Sequence, residues 1–243
     1  MHDHLLIARE GGRTVLTLNR PAKLNALDEA LVEALLVAFD QARDDGTSLL
    51  VMRGAGKGFS GGFDFGGLDA LSDGDLALRF IRLEMLLQSV WTAPFVTLAL
   101  AHGPCFGAAA DIVAACTLRY ATADAKFRMP GLRFGIALGT RRLAALVGHD
   151  RARSLLMTSR IFTASEALPM GFLSGIAEMA DWEAITAEAA RDAAVLSPAS
   201  RERLLRLTRR DAPDADLAEL VRSLAAPGLK ERIAAYLEAL QKR

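Results

Sequence analysis

Cysteine is nearly missing from this sequence, with two in 243 residues, Cys105 and Cys116. So few exclude a disulfide framework, and neither shows metal-ligand spacing; buried, reduced thiols and no metal site are expected. Net charge is missing as well, because 29 basic residues balance 29 acidic ones. A neutral chain has no electrostatic reason to seek nucleic acid or an anionic membrane. A membrane-spanning run is also lacking: from Met85 to Ala110 His102 alone is able to carry charge, but Pro94, Gly103 and Pro104 interrupt the stretch. Met1 to Glu10 is too short and polar for a signal peptide, so a cytoplasmic location is expected. What remains is 51% apolar and 24% charged, the composition of a globular chain long enough to bury a large core.

The hydrophobic pattern alternates between two periods. Leu5–Arg9 and Thr14–Asn19 alternate around Gly11-Gly12, which predicts a β-hairpin. From Asp28 to Asp44, Leu31, Val32, Leu35, Leu36 and Phe39 recur at helical spacing. Leu49–Met52 reads as a buried strand, closed by the glycine-rich run Gly54 to Gly58. A helix over Asp75–Val90, a strand over Phe95–Ala101 and a short apolar helix over Gly107–Ala115 follow. Thr163 with Glu166 is a capping-box signal, and beyond Asp181 the pattern is helical, including Leu229–Leu240. The expectation is a mixed α/β core over residues 1–180 and a helical region over 181–243.

Two short motifs fail on context. Gly56 to Gly61 matches GxGxxG, but Phe63 to Gly67 continues as loop where a dinucleotide site needs a helix. Gly58 to Gly62 matches GxSxG, but only His102 and His149 follow Ser60, and neither lies in a loop suited to a triad. A glycine-rich loop whose backbone approaches something closely is the simpler reading.

Two loops supply backbone N–H groups: Phe59 to Asp64, and His102 to Asp111, which opens a helix near Gly107. A helix N-terminus carries unpaired N–H groups and partial positive charge, and the small residues Gly107 to Ala110 let a ligand approach. Such donors suit the oxyanion of a thioester enolate.

These segments resemble those of the crotonase (enoyl-CoA hydratase/isomerase) family. Leu16 to Pro21 with Lys23 to Leu27 is similar to its opening hairpin and CoA-adenine loop. Gly54 to Asp64 is similar to its GxGxxFxxGxD loop, and His102 to Asp111 to its NGxxxGGGxE helix start. The resemblance implies a crotonase-like spiral of ββα units ending in a helical trimerisation region, with Leu229 to Leu237 as a trimer-packing helix. It implies an acyl-CoA substrate, no cofactor beyond that CoA, and a homotrimer or dimer of trimers. By position, the N–H groups of Phe63 and Ala108 form the oxyanion hole, Asp111 is the acid/base, and Lys23, Ala26, Ser60, Gly62, Asp64, Gly107 and Pro130 line the CoA and substrate groove. Read as residues, Asp64 equally suits a loop brace, Lys23 a solvated turn, and Asp111 a helix-stabilising first-turn carboxylate.

The sequence departs from the family at a second glutamate. Phe127 to Gly131 places Gly131 where hydratases carry it, and Ala137 to Arg142 replaces the family's glycine-rich turn and its dienoyl-isomerase aspartate. Lyase or isomerase chemistry with Asp111 is the leading expectation. Thioester hydrolysis, decarboxylation, or a catalytically silent CoA-binding subunit are the alternatives. Arg128, Arg133 and Arg141 suit a substrate carboxylate or plain solvent exposure, and His102 a loop brace. Glu84 has no assigned direction on its helix. The pKa of Asp111 is left open, because burial raises it and the helix N-terminus lowers it.

Overall fold

The computed structural model describes residues 4–209 and 213–242. The expected hairpin is β1 (Leu5–Glu10) and β2 (Arg13–Leu18), paired antiparallel with Leu5 opposite Leu18. Helix α1 (Glu29–Asp44) begins at Asp28, whose carboxylate accepts from the Leu31 N–H at 2.9 Å. Strand β3 (Leu49–Gly54), α2 (Asp73–Trp91), β4 (Val96–Ala101), β5 (Pro104–Phe106) and α3 (Ala108–Ala115) follow. Helix α2 opens two residues earlier than its apolar period, because Ser72 and Asp75 form a capping box. Then come β6 (Leu118–Ala121), β7 (Lys126–Arg128), α4 (Thr140–Val147), α5 (His149–Thr158), β8 (Phe162–Thr163), α6 (Ala164–Ala167) and β9 (Gly175–Ile176). The chain closes with α7 (Trp182–Val195), α8 (Pro198–Thr208), α9 (Pro213–Leu224) and α10 (Leu229–Gln241).

Six strands form one sheet in the order β1-β2-β3-β4-β6-β9, parallel from β2 onward, and β5-β7-β8 form a second. The chain passes from the large sheet to the small one and out to a helix, then repeats: β4-β5-α3, then β6-β7-α4. An isolated parallel bridge between Ser60 and Cys105 extends the pattern to the preceding turn, β3 to α2. The result is a spiral of ββα units. Strands β3 and β4 are buried on both faces, which is why they read as unbroken apolar runs. Leu50, Met52 and Ala99 face the central core, while Leu49, Val51, Leu98 and Leu100 pack under Trp182, Ala189 and Ala193 of α7.

Helices α9 and α10 cover the other side. Leu220, Leu224, Leu229 and Ile233 cluster with Leu76 and Phe80 of α2 and with Phe134 and Ile136 of the loop before α4. Cys105 and Cys116 are buried free thiols; burial pushes Cys116 up to about 12. No described helix is long and apolar enough to cross a membrane.

Asn25 ties the first turns together. It is fully buried, and its amide donates to the carbonyls of Ala55, Gly58 and Phe59 at 2.8, 3.0 and 3.2 Å while its oxygen accepts from Arg20 N–H. Its φ of 50° is one that asparagine tolerates better than most residues. Asn25→Ala therefore strands several buried groups, and chemical denaturation should show a loss of about 1–3 kcal/mol or more.

Candidate active site

The loop after β3 and the start of α3 meet backbone to backbone. Ser60 N–H donates to Pro104 C=O and Phe106 N–H to Ser60 C=O, at 3.3 and 3.0 Å. Gly62 then turns with φ +87°; a Cβ there would lie 2.3 Å from the Phe106 carbonyl oxygen and 3.3 Å from Ala108 N. Only glycine fits that approach. The next residue bridges Leu27, but the bridge uses Gly62 C=O and Asp64 N–H. The Phe63 N–H is left free of backbone partners among the described residues. The same holds for Ala108 N–H, because α3 starts there and its first intrahelical bond runs from Asp111 N–H to Gly107 C=O.

Both residues line a cavity of about 230 Å³. Its walls are largely aromatic and aliphatic: Phe63 stacks on Phe80 at 4.2 Å, Phe65 meets Phe134 edge-on, and Phe134 packs against Tyr236 of α10. Gly61, Gly107, Pro130, Gly131 and Thr140 also line it, together with Asp111. Asp111 is one turn along α3 from Ala108, in a helix whose residues are all buried. It is 4% exposed, and no protein group hydrogen-bonds its Oδ1. Burial raises its pKa well above the usual carboxylate range; Arg142 opposes the rise and Glu84 adds to it. Desolvation is the largest cause, and the net direction is upward.

The sequence-predicted residues divide. Phe63, Gly107, Ala108, Asp111 and Pro130 line the cavity. Ser60 and Gly62 do not: the Ser60 hydroxyl donates to Asn25 C=O at 2.7 Å and accepts from Gly62 N–H at 3.0 Å. Both stand behind the wall of this cavity and hold it. The fully buried hydroxyl also rules out the nucleophile elbow. Asp64 braces the loop, accepting from Arg20 at 2.8 Å and from Gly66 N–H at 2.8 Å. Burial opposes its ionisation, but these hydrogen bonds outweigh that and hold its pKa low. Ala26 is half-buried, its carbonyl taken by Arg20, and Lys23 is exposed on the neighbouring turn Pro21–Lys23 beside a shallow surface groove. His102 does brace a loop, with Nε2 2.9 Å from Gly56 O. Arg128 reaches the cavity while its Nε donates to Ser159 C=O at 2.8 Å, and Arg141 pairs with Asp216.

Sequence reasoning named Glu84 without a direction and missed its pairing with Arg142. Arg142 donates through both terminal nitrogens to Glu84, at 3.0 and 2.6 Å, with the two side chains 3% and 1% exposed. A signal was present: Glu84 falls between Leu83 and Leu87 on the apolar face of α2, where an unpaired charge is too costly to stand. Asp216 of α9 lies 3.9 Å from Arg142, Ser223 of α9 accepts from Ala137 N–H, and Arg232 of α10 donates to Phe134 C=O. The C-terminal helices thus clamp the loop over Asp111. That loop is tight: a Cβ at Gly139 would lie 1.8 Å from Asp111 Oδ1, and one at Gly131 would lie 2.8 Å from the Ile136 carbonyl oxygen.

Comparison with known proteins agrees with this geometry. The family model for enoyl-CoA hydratase/isomerase matches residues 9–224. A Mycobacterium tuberculosis protein named as a probable enoyl-CoA hydratase is 36% identical over 179 residues, 72% of each chain. The peroxisomal Delta(3,5)-Delta(2,4)-dienoyl-CoA isomerase of Arabidopsis thaliana is 31% identical over 66% of this chain and 64% of its own. A crystallised enoyl-CoA hydratase/isomerase family protein of Bordetella parapertussis is 51% identical and superposes with a TM-score of 0.95, covering 96% of this chain and 98% of that one. The chain therefore belongs to the enoyl-CoA hydratase/isomerase family, acyl-CoA enzymes of the crotonase fold.

Two stability effects follow from the buried charges. Because folding raises the Asp111 pKa, the folded state holds its proton above the unfolded value of about 3.9, so stability falls as pH rises from about 4 through the folded pKa. Asp111→Asn removes the titration, so its melting temperature should exceed that of the unsubstituted chain at pH 8, with the gap closing near pH 4. Arg142→Met leaves Glu84 buried and unpaired, at a cost of about 3–5 kcal/mol, whereas Glu84→Met with Arg142→Met together should cost clearly less in denaturant titration.

Proposed function

We propose that the protein binds an acyl-CoA with its thioester carbonyl against the N–H groups of Phe63 and Ala108 and moves a proton through Asp111. The observation that carries this is the pair of free N–H groups on one cavity wall with a buried carboxyl, its Oδ1 unpartnered, one helical turn beyond them. In an apolar site, fixed donors stabilise the negative charge that develops on the carbonyl oxygen when a Cα proton leaves or a nucleophile adds at Cβ. A carboxylate whose proton affinity burial has raised is a stronger base once ionised, and it retains the proton for return to carbon. Isomerisation of an enoyl-CoA, or addition and loss of water across its double bond, are reactions of this type. The aromatic walls from Phe63 to Tyr236 suit an apolar acyl chain, and CoA enters as part of the substrate with no other cofactor.

Gly131 supports chemistry with one carboxylate. The Ile136 carbonyl occupies the space that a side chain at 131 would enter, so the place of the family's second glutamate is closed as well as empty. The same feature favours a second reading, a chain that binds acyl-CoA without turning it over. A homotrimer or a dimer of trimers is the assembly proposed from the family resemblance, and exposed apolar residues such as Met157 and Ile161 support it.

One experiment separates the first two readings. Asp111→Asn should reduce turnover of a trans-2-enoyl-CoA or 3-enoyl-CoA by about 10²-fold or more, with acyl-CoA affinity by calorimetry little changed. Affinity without turnover in the unsubstituted chain would establish the silent binder, and an unchanged rate in the variant would remove Asp111 from the chemistry.

A further inference from the structure

With the place at Gly131 closed, hydration requires some other group to hold an oxygen at the substrate's Cβ. We infer that Thr140 does so: its hydroxyl and Asp111 Oδ1 together grip a water, or a substrate β-hydroxyl, at the first turn of α4. Thr140 Oγ1 and Asp111 Oδ1 are both buried, both residues line the cavity, and neither oxygen has a hydrogen-bond partner in the protein. Gly139 links them, because its backbone lies directly on the Asp111 carboxylate and Thr140 is the next residue. Helix α4 begins at Thr140 with no side-chain cap, so its partial positive charge faces the same point. The neighbouring lining, Met129, Ile136, Leu138 and Leu156, offers no competing side-chain hydrogen bond. Two buried oxygens that the protein leaves unsatisfied are costly, and one guest able to donate and accept relieves both.

The inference rests on the roles proposed above for Asp111 and the two N–H groups. The bound water accepts from the Thr140 hydroxyl and donates to the Asp111 carboxylate. As the water oxygen bonds to Cβ, its proton passes to Asp111 and the Cα–Cβ π pair shifts to make the thioester enolate. Asp111 then returns that proton to Cα as the enolate collapses, and the net change is addition of one water.

The test measures two rates on each protein: hydration of crotonyl-CoA, and exchange of the Cα protons of butyryl-CoA in D2O, which needs no oxygen at Cβ. In Thr140→Val the ratio of hydration to exchange should fall about tenfold or more, and in Thr140→Ser it should recover. Thr140→Ala gives the same comparison if the valine variant does not fold. A merely structural role for Thr140 would lower both rates together and leave the ratio unmoved, which would overturn the inference. So would exchange without measurable hydration in the unsubstituted chain. Exchange that is absent, or that survives Asp111→Asn, would instead sink the underlying reading of Asp111 and take the inference down with it.

Discussion

The close approach of Gly62 to the Phe106 carbonyl is the constraint on which the site depends. Two loops from successive turns of the spiral have to touch through their backbones for the N–H groups of Phe63 and Ala108 to reach one cavity wall. Any side chain at residue 62 would push them apart. Much of the neighbouring sequence serves that contact. Asn25 gathers three carbonyls of the adjacent loop, and Ser60 uses both hydrogen-bonding faces of its hydroxyl within it. Asp64 ties its far end to Arg20. These polar residues neither face the cavity nor need to; they fix its wall.

Burial of charge is the second organising cost. Helix α3 places Asp111 among apolar neighbours, and the protein neither removes that cost nor neutralises it with a direct partner. Glu84 and Arg142 sit close enough to act on it electrostatically but hydrogen-bond to each other. Stability is given up at one carboxyl, consistent with a group kept for chemistry. The C-terminal helices act on the same point at longer range. Through Asp216, Ser223 and Arg232 they hold the segment between Gly131 and Arg142, whose backbone forms the roof over Asp111.

The first turns of the spiral were legible, because their longer strands and helices carry local signals, while β5, β6, α4 and α5 did not announce themselves. Alternation marked the hairpin, unbroken apolar runs marked β3 and β4, helical spacing marked α1, and the capping box at Thr163 marked the start of α6. The motif order carried the family. The bracing of the first loop was less legible: Ser60, Gly62 and Asp64 occupy motif positions, yet a motif does not say what each of them bonds to. Those partners lie up to 44 residues away.

The sequence by itself therefore determined the two motif loops, the carboxyl at residue 111 and the missing side chain at residue 131, since each is a property of residue type at a position. Tertiary structure alone decided the rest. Packing around α3 buried Asp111 and so raised its pKa, and folding of α2 against α4 made Glu84 and Arg142 a pair. The turn from Gly131 to Ile136 closed one place in the cavity, and the start of α4 brought Thr140 to another. These outcomes depend on distances between segments remote in the chain, and desolvation and hydrogen bonding act through distance in space.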